Sequence, residues 1–282
     1  MMLAGHEKKK VPILMYHSIS RHATAKFRQF TVSPSSFVEQ MTYLYQHRYT
    51  PITVTQYVRA LSQGESALPE CPVVLTFDDG FVDFYTEALP ILQQYGFAAT
   101  LYVATAFIGG MSRWLRREGE ATRLMLSWDQ LTEISTRGIE CGAHSHSHRQ
   151  LDTLPRSIAL DEIVQSKRLL EHHLGQNIVS FAYPFGYHTT SLRWLVREAG
   201  FTSACAVGHA ISSAMTDRFA LARLMVRADT SLDAFAALLT GHSLSAITTM
   251  YTTYARIRTP LWQLARRSSA LVTGHLRGEF LA

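Results

Sequence analysis

Two short stretches hold the residues best suited to chemistry. Thr76-Phe77-Asp78-Asp79-Gly80 sets two adjacent carboxylates directly after the apolar run Val73-Val74-Leu75. Like charges repel and burial disfavours ionisation, so a carboxylate pair at the end of a buried strand calls for a nearby cation or for a division of labour. Further along, Gly142-Ala143-His144-Ser145-His146-Ser147-His148 carries three histidines within five residues. His144 and His148 are four apart, which brings both imidazoles to one ion on a turn or a helix start. Histidine nitrogen and carboxylate oxygen both bind zinc at about 2.0–2.2 Å. Two His and one Asp leave coordination positions open, as a catalytic metal requires. The reading is a metal site of Asp79, His144 and His148, with Asp78 left free as a base. The pKa of water on such an ion falls to about 7, and a neighbouring carboxylate can take its proton. His146 is expected to point away and hydrogen-bond locally, ligation being its less favoured alternative.

These residues need a scaffold that brings distant segments together. The pattern predicts strands at residues 11–16, 73–77, 97–104, 139–143, 179–183, 201–207 and 221–226, with a short extended piece at 49–54. Ser33-Pro34 suits a helix start, with Phe37, Met41, Leu44 and Tyr45 at helical spacing. Further helices are expected at 55–61, 83–95, from the capping box Ser127-Trp128-Asp129-Gln130, from Pro155 to Leu174, and at 191–199. Gly96-Phe97, Gly138-Ile139 and Gly200-Phe201 each join a helix end to an apolar strand, glycine accepting the left-handed conformation that closes a helix. Helix and strand alternating in this way argue for a parallel sheet with helices outside it. His17, Asp78, Asp79, His144, His148 and Phe185 then all fall just after strands, on the C-terminal face where barrel enzymes keep their sites. The Arg-rich stretch 109–125 is expected to be a mobile loop or lid.

The composition supports one large core: 282 residues, 47% hydrophobic and 17% charged. The expected layout is a flexible N-terminus at 1–10, a single barrel domain at 11–235 and a helical extension at 236–282. The formal charge of +5 is mildly basic, and no dense Lys/Arg cluster interleaves with aromatics, so nucleic acid is not an expected partner. Cys71, Cys141 and Cys205 are far apart and odd in number, which predicts buried free thiols rather than a disulfide framework. Residues 1–10 lack the apolar core of a secretory signal, and no run of about 18 apolar residues is present. A cytoplasmic location is therefore expected, with the alternative that the true start lies upstream. The basic C-terminal helix is expected to pack on the barrel; peripheral contact with a membrane surface or a partner is the alternative. Nothing in the sequence speaks to oligomeric state.

The two motifs resemble those of the polysaccharide deacetylases with the NodB homology domain, carbohydrate esterase family 4. That family carries Thr/Ser-Phe-Asp-Asp-Gly and His-Ser/Thr-x-x-His, here Thr76 to Gly80 and His144 to His148. Leu126-Ser127-Trp128 and Arg149-Gln150-Leu151 also look alike, and the resemblance runs over roughly residues 11 to 230. It implies a distorted (β/α) barrel and one divalent ion, usually zinc. It implies removal of N-acetyl, or O-acetyl, groups from an amino-sugar polymer or a glycolipid precursor. Asp78 would be the base and Asp79, His144 and His148 the ligands. The family's Arg-x-Pro-Tyr/Phe-Gly motif corresponds to Tyr183-Pro184-Phe185-Gly186. It implies the backbone N–H of Phe185 as oxyanion donor and Tyr183 and Pro184, with Trp128, as substrate-binding residues. The motif's Arg is absent, and Arg223 is the candidate replacement that would orient the base. The family's late Leu-x-His also lacks a counterpart. Leu14-Met15-Tyr16-His17-Ser18-Ile19 instead resembles the early strand of the poly-N-acetylglucosamine de-N-acetylase subgroup, which makes His17 the candidate acid. Competing readings are an amidohydrolase for a small cyclic amide or ureide, a two-His-one-carboxylate iron oxygenase, and a sugar-binding barrel without turnover.

Overall fold

A computed structural model describes residues 10–208, 211 and 216–241. Its centre is a parallel sheet built from β1 (Ile13–Tyr16), β4 (Thr50–Ile52), β5 (Pro72–Phe77), β6 (Ala99–Val103), β7 (Ile139–Ala143), β8 (Ser180–Ala182), β9 (Ser203–Cys205) and β10 (Leu224–Met225). The order is β10-β1-β5-β6-β7-β8-β9, with β4 beside the first half of β5. Two short strands, β2 (Ser18–Ile19) and β3 (Thr31–Val32), pair separately beyond β1.

The sheet curls back on itself. Leu221 donates to Ala204 O at 2.9 Å and accepts from Ala206 N at 2.8 Å, joining the chain to β9. Three residues later Leu224 and Met225 pair with Leu14 and Met15 of β1. The stretch 221–225 thus closes the ring between β9 and β1, and the result is the distorted (β/α) barrel expected.

Alternation along the strands sends side chains to two cores. Ile13, Val74, Tyr102, Ala182, Cys205 and Leu221 face the barrel interior, where α2 (Val54–Gln63) adds Val54, Tyr57 and Val58. Val54 N–H donates to Thr100 Oγ1 and Thr55 N–H to Glu140, the second residues of β6 and β7. Helix α2 therefore plugs the N-terminal mouth, and the C-terminal mouth is left for chemistry. The outer faces of the strands are covered by α1 (Pro34–Gln46), α3 (Leu89–Tyr95), α4 (Trp128–Ser135), α5 (Arg156–Leu174) and α6 (Thr190–Glu198). Ser33 caps α1, and Ser127 and Gln130 form the capping box of α4, as the sequence predicts.

Several expectations are corrected. Tyr45 stands off the buried stripe of α1 and is 63% exposed, its ring 5.5 Å from Tyr95. Cys71 is only half-buried. The helix after the Asp pair opens with a wide π turn, Phe84–Ala88, ahead of α3. Pro90 has no N–H for the carbonyl four residues back and its ring crowds it, which a widened turn relieves. The stretch 109–125 is strapped down rather than free. Met125 bridges Phe81 and Leu124 bridges Met111, while Leu115 and Met125 bury against Phe27 and Phe81. Arg123 donates to Asp83 Oδ2 at 3.0 Å, Ser18 Oγ at 2.9 Å, His22 O at 3.1 Å and Glu120 Oε2 at 3.2 Å. Its guanidinium also lies against the rings of Phe27 and Phe81. Helix α7 (Leu232–Thr240) spans the boundary expected at 235. The rest of the expected C-terminal extension, with its membrane-facing alternative, and residues 1–9 lie outside the described residues. Among those described, no helix is long and apolar enough to cross a membrane.

Candidate active site

The C-terminal mouth gathers the expected residues. Asp78 and Asp79 follow β5, His144 and His148 follow β7, His17 follows β1, and Arg223 enters from the closing stretch. Asp79 Oδ1 is 3.1 Å from His148 Nε2 and 3.6 Å from His144 Nε2. One ligand atom from each of the three residues lies within 4.8 Å of the other two, and all three residues are buried.

The donors fit a divalent cation. His144 Nδ1 is 2.8 Å from the Ala182 carbonyl, so Nδ1 carries the hydrogen and the Nε2 lone pair faces Asp79. A lone pair and a carboxylate oxygen facing one another inside a protein are two acceptors without a donor, an arrangement that a cation resolves. Burial pushes the His144 pKa down to about 4, which keeps its nitrogen free to ligate near neutral pH. Burial alone would raise the Asp79 pKa, yet His148, with His17 and His144, holds that carboxyl well below the usual range. Two imidazoles and one carboxylate are ordinary zinc ligands.

The backbone is bent to make this geometry. Of the five non-glycine residues with left-handed φ among the described residues, four are here: Asp79 at 77°, Ser145 at 60°, His148 at 54° and Phe185 at 60°. Such conformations cost about 1–3 kcal/mol each and persist where the surroundings over-determine them. Here Ser145 Oγ accepts the His148 N–H at 3.1 Å, and Ser147 is held by buried Glu162 of α5. Ala104 N–H donates to Asp79 O at 3.3 Å. Gly80 is required beside them, because a Cβ there would meet Val103 Cγ1 at 2.8 Å. His146 turns away and bonds Thr105 Oγ1 through Nδ1 at 2.9 Å, the local role expected of it.

Asp78 has a different partner. Arg223 grips it with both arms, Nη1 to Oδ1 at 2.6 Å and Nη2 to Oδ2 at 2.7 Å. The same guanidinium donates to Thr76 Oγ1 at 3.2 Å and from Nε to Ala206 O at 3.1 Å. It lies 5.5 Å from the ring of Tyr102, and Arg223 is fully buried. Burial would raise the Asp78 pKa, and the Arg223 charge, with His144 behind it, reverses this and holds it below the usual carboxylate range.

His17 stands at the rim, half-buried, its ring 5.1 Å from Phe30 and its Nδ1 buried with no hydrogen-bond partner among the described residues. A proton on it would favour the charged forms of both Asp78 and Asp79. Phe185, 47% exposed, packs its ring 4.8 Å from His148. Trp114 also packs on His148, its ring 5.1 Å away. Sequence reasoning did not single out Trp114; its signal was one aromatic inside an Arg-rich polar stretch.

Three expected substrate contacts are not met. Tyr183 is fully buried among outward-facing core residues, and its hydroxyl donates to Phe219 O at 3.0 Å. Pro184 is buried beside it. Trp128 stacks on His173 of α5 at 3.9 Å and packs on the outer core. Standing next to a motif in sequence did not turn these side chains towards the site.

Residues 65–204 match a family model described as polysaccharide deacetylase. Residues 65–204 belong to the polysaccharide deacetylase family. The expectation of a hydrolase acting on non-peptide amide bonds is met with it. Over 228 residues the chain is 28% identical to a Bacillus subtilis protein named "Putative polysaccharide deacetylase YxkH", covering 81% of this chain and 75% of that one. A match to the poly-beta-1,6-N-acetyl-D-glucosamine N-deacetylase of Escherichia coli K12 is 30% identical over 140 residues, 48% of this chain but 20% of that protein. In structure, the chain is similar to the Streptococcus pyogenes deacetylase PplD, solved with acetate. The TM-score is 0.72 at 26% identity, over 82% of this chain and 99% of that one.

Proposed function

We propose that this protein removes N-acetyl groups from an amino-sugar glycan. The observation that carries the reading is the pairing of two carboxylates with separate partners: Asp79 with His144 and His148, and Asp78 with Arg223. Asp79, His144 Nε2 and His148 Nε2 would hold one divalent ion, zinc by its donor set, which supplies Lewis acidity to the acetyl carbonyl and acidifies water. Asp78, kept ionised by Arg223, accepts the proton of the attacking water. The Phe185 amide, on its left-handed turn, is the donor for charge developing on the acetyl oxygen. His17 returns a proton to the sugar nitrogen as the C–N bond breaks, so that water and acetamide become acetate and amine. The E. coli and Staphylococcus aureus relatives named poly-beta-1,6-N-acetyl-D-glucosamine N-deacetylase support an amino-sugar substrate.

The test is acetate release from acetylated chito-oligosaccharides by zinc-loaded protein, with Asp78→Asn beside it. The variant keeps its zinc and loses turnover by at least about a thousandfold. Full activity in that variant removes Asp78 as the base, and no acetate from any acetylated saccharide removes the reading.

A further inference from the structure

The cationic excess of the chain is gathered beside the site. Residues 20–30 hold three cationic side chains and no carboxylate, and residues 111–123 hold four against two carboxylates. Together they carry a net +5, equal to the formal charge of the whole chain. Arg123 is tied to both Asp83 and Glu120. That leaves Arg21, Lys26, Arg28, Arg113, Arg116 and Arg117, all exposed, and none of these six forms an ion pair among the described residues.

The two segments make one surface. Thr24 N–H donates to Glu120 Oε1 at 2.6 Å, Thr24 Oγ1 to Glu118 O at 2.5 Å, and Lys26 Nζ to Arg117 O at 3.2 Å. Both segments touch the site: Phe30 lies 5.1 Å from His17, and Trp114 lies 5.1 Å from His148. Between them and β3 runs an open groove of about 650 Å³, lined by Arg21, His22 and Arg28 and by the hydroxyl residues Ser20, Thr31 and Ser33. Glu120, the carboxylate in that lining, already accepts from Thr24 and Arg123.

We propose that this rim selects acetylated glycans bearing anionic substituents, phosphate or carboxylate, on a sugar next to the one being deacetylated. This rests on the deacetylase reading above. Hydroxyl side chains suit a sugar, and unpaired guanidinium groups suit phosphate and carboxylate oxygens. A neutral polymer gives the cations nothing to bind, and each deacetylation of such a polymer creates an ammonium group that the rim repels. An anionic glycan is drawn in by the same field.

The test compares acetylated oligosaccharides of equal length with zinc-loaded full-length protein: neutral, phosphorylated and uronate-containing. The kcat/KM for an anionic substrate should exceed that for the neutral one by about tenfold at 50 mM NaCl. The advantage should vanish at 1 M, where the screening length is about 3 Å. Arg21→Glu/Arg28→Glu and Arg116→Glu/Arg117→Glu should erase it while leaving neutral kcat/KM within about twofold. The phosphorylated and uronate arms tell which anion is preferred. Equal rates on neutral and anionic substrates at low salt overturn the proposal, as does an anionic preference untouched by both charge reversals. Calorimetric titration with a phosphorylated, unacetylated maltopentaose reads the rim without turnover. Its binding, lost in the Glu variants, upholds the rim even if no substrate is deacetylated and the function above fails. No binding to it or to an oligogalacturonate overturns the proposal. Sedimentation through the same arginines with phosphatidylglycerol vesicles, but no binding to soluble oligosaccharides, assigns the rim to a membrane surface instead.

Discussion

Replacing Arg223 by Met should move the pH profile rather than simply lower it. The guanidinium contacts both oxygens of Asp78 at 2.6 and 2.7 Å, with both side chains buried. Two unit charges about 4 Å apart at an effective dielectric of about 20 attract by roughly 4 kcal/mol. Removing the cation leaves burial to dominate, and burial raises the Asp78 pKa. The acid limb of kcat/KM for deacetylation should therefore move to higher pH, with activity lost first on the acid side and regained as pH rises. Breaking a buried pair from one side should also cost about 3–5 kcal/mol of stability. Asp78→Asn/Arg223→Met should regain much of that, since the stranded charge is gone. Arg223→Lys should fall between, a point charge being unable to grip two oxygens. The assays are acetate release from pH 5 to 9.5 and urea unfolding. A Met variant with the wild-type acid limb and stability would refute the claim that Arg223 sets the charge state of Asp78.

Three further outcomes follow from the same geometry. Gly142→Ala should cost about 1–3 kcal/mol in urea unfolding, because its Cβ would meet two ring carbons of Tyr102 at 2.5 Å, and Tyr102 backs Arg223. His148→Ala should bind zinc at least about a hundredfold more weakly by competition with a chelator, while its far-UV circular dichroism stays native. In the metal-free protein, His144 has its pKa pushed down to about 4, so the unfolded chain binds more protons than the native one between pH 6.5 and 4. The stability this histidine contributes is full above pH 6.5 and is lost as pH falls towards 4. The loss is on the order of 3 kcal/mol, checked by comparing the unfolding of wild type and His144→Gln at pH 7 and 4.5.

The grouping of Asp79 with His144 and His148 was legible because these residue types stand out locally. Two carboxylates at a strand end and histidines four apart leave few structural explanations. The sequence revealed the barrel because glycine-closed helices led directly into apolar strands. Arg223 was visible as a charge inside an apolar strand, but its partner lies 145 residues away, a distance that only the closing of the sheet abolishes. Tyr183 and Trp128 were misplaced for a simpler reason. Strand β8 alternates, so Ala182 faces the barrel interior while Phe181 and Tyr183 face the helices. The period of two could have shown this, had it been preferred to nearness to a motif. The strapping of 109–125 was hidden because Arg123 reads as one more surface arginine until folding sets it against Asp83 and Ser18.

The stretch that completes the ring is also among the last parts of the barrel to leave the ribosome. By then Asp78, Asp79, His144, His148 and most of the sheet have already been made. A chain cut short before Leu221 would keep Asp79, His144 and His148 yet expose the unsatisfied edges of β9 and β1, a template for pairing with other chains. It would also strand a buried aspartate without its counter-charge. Fragments of this enzyme should therefore clump or be degraded rather than persist as feeble catalysts, and quality control is written into the order in which the polypeptide emerges.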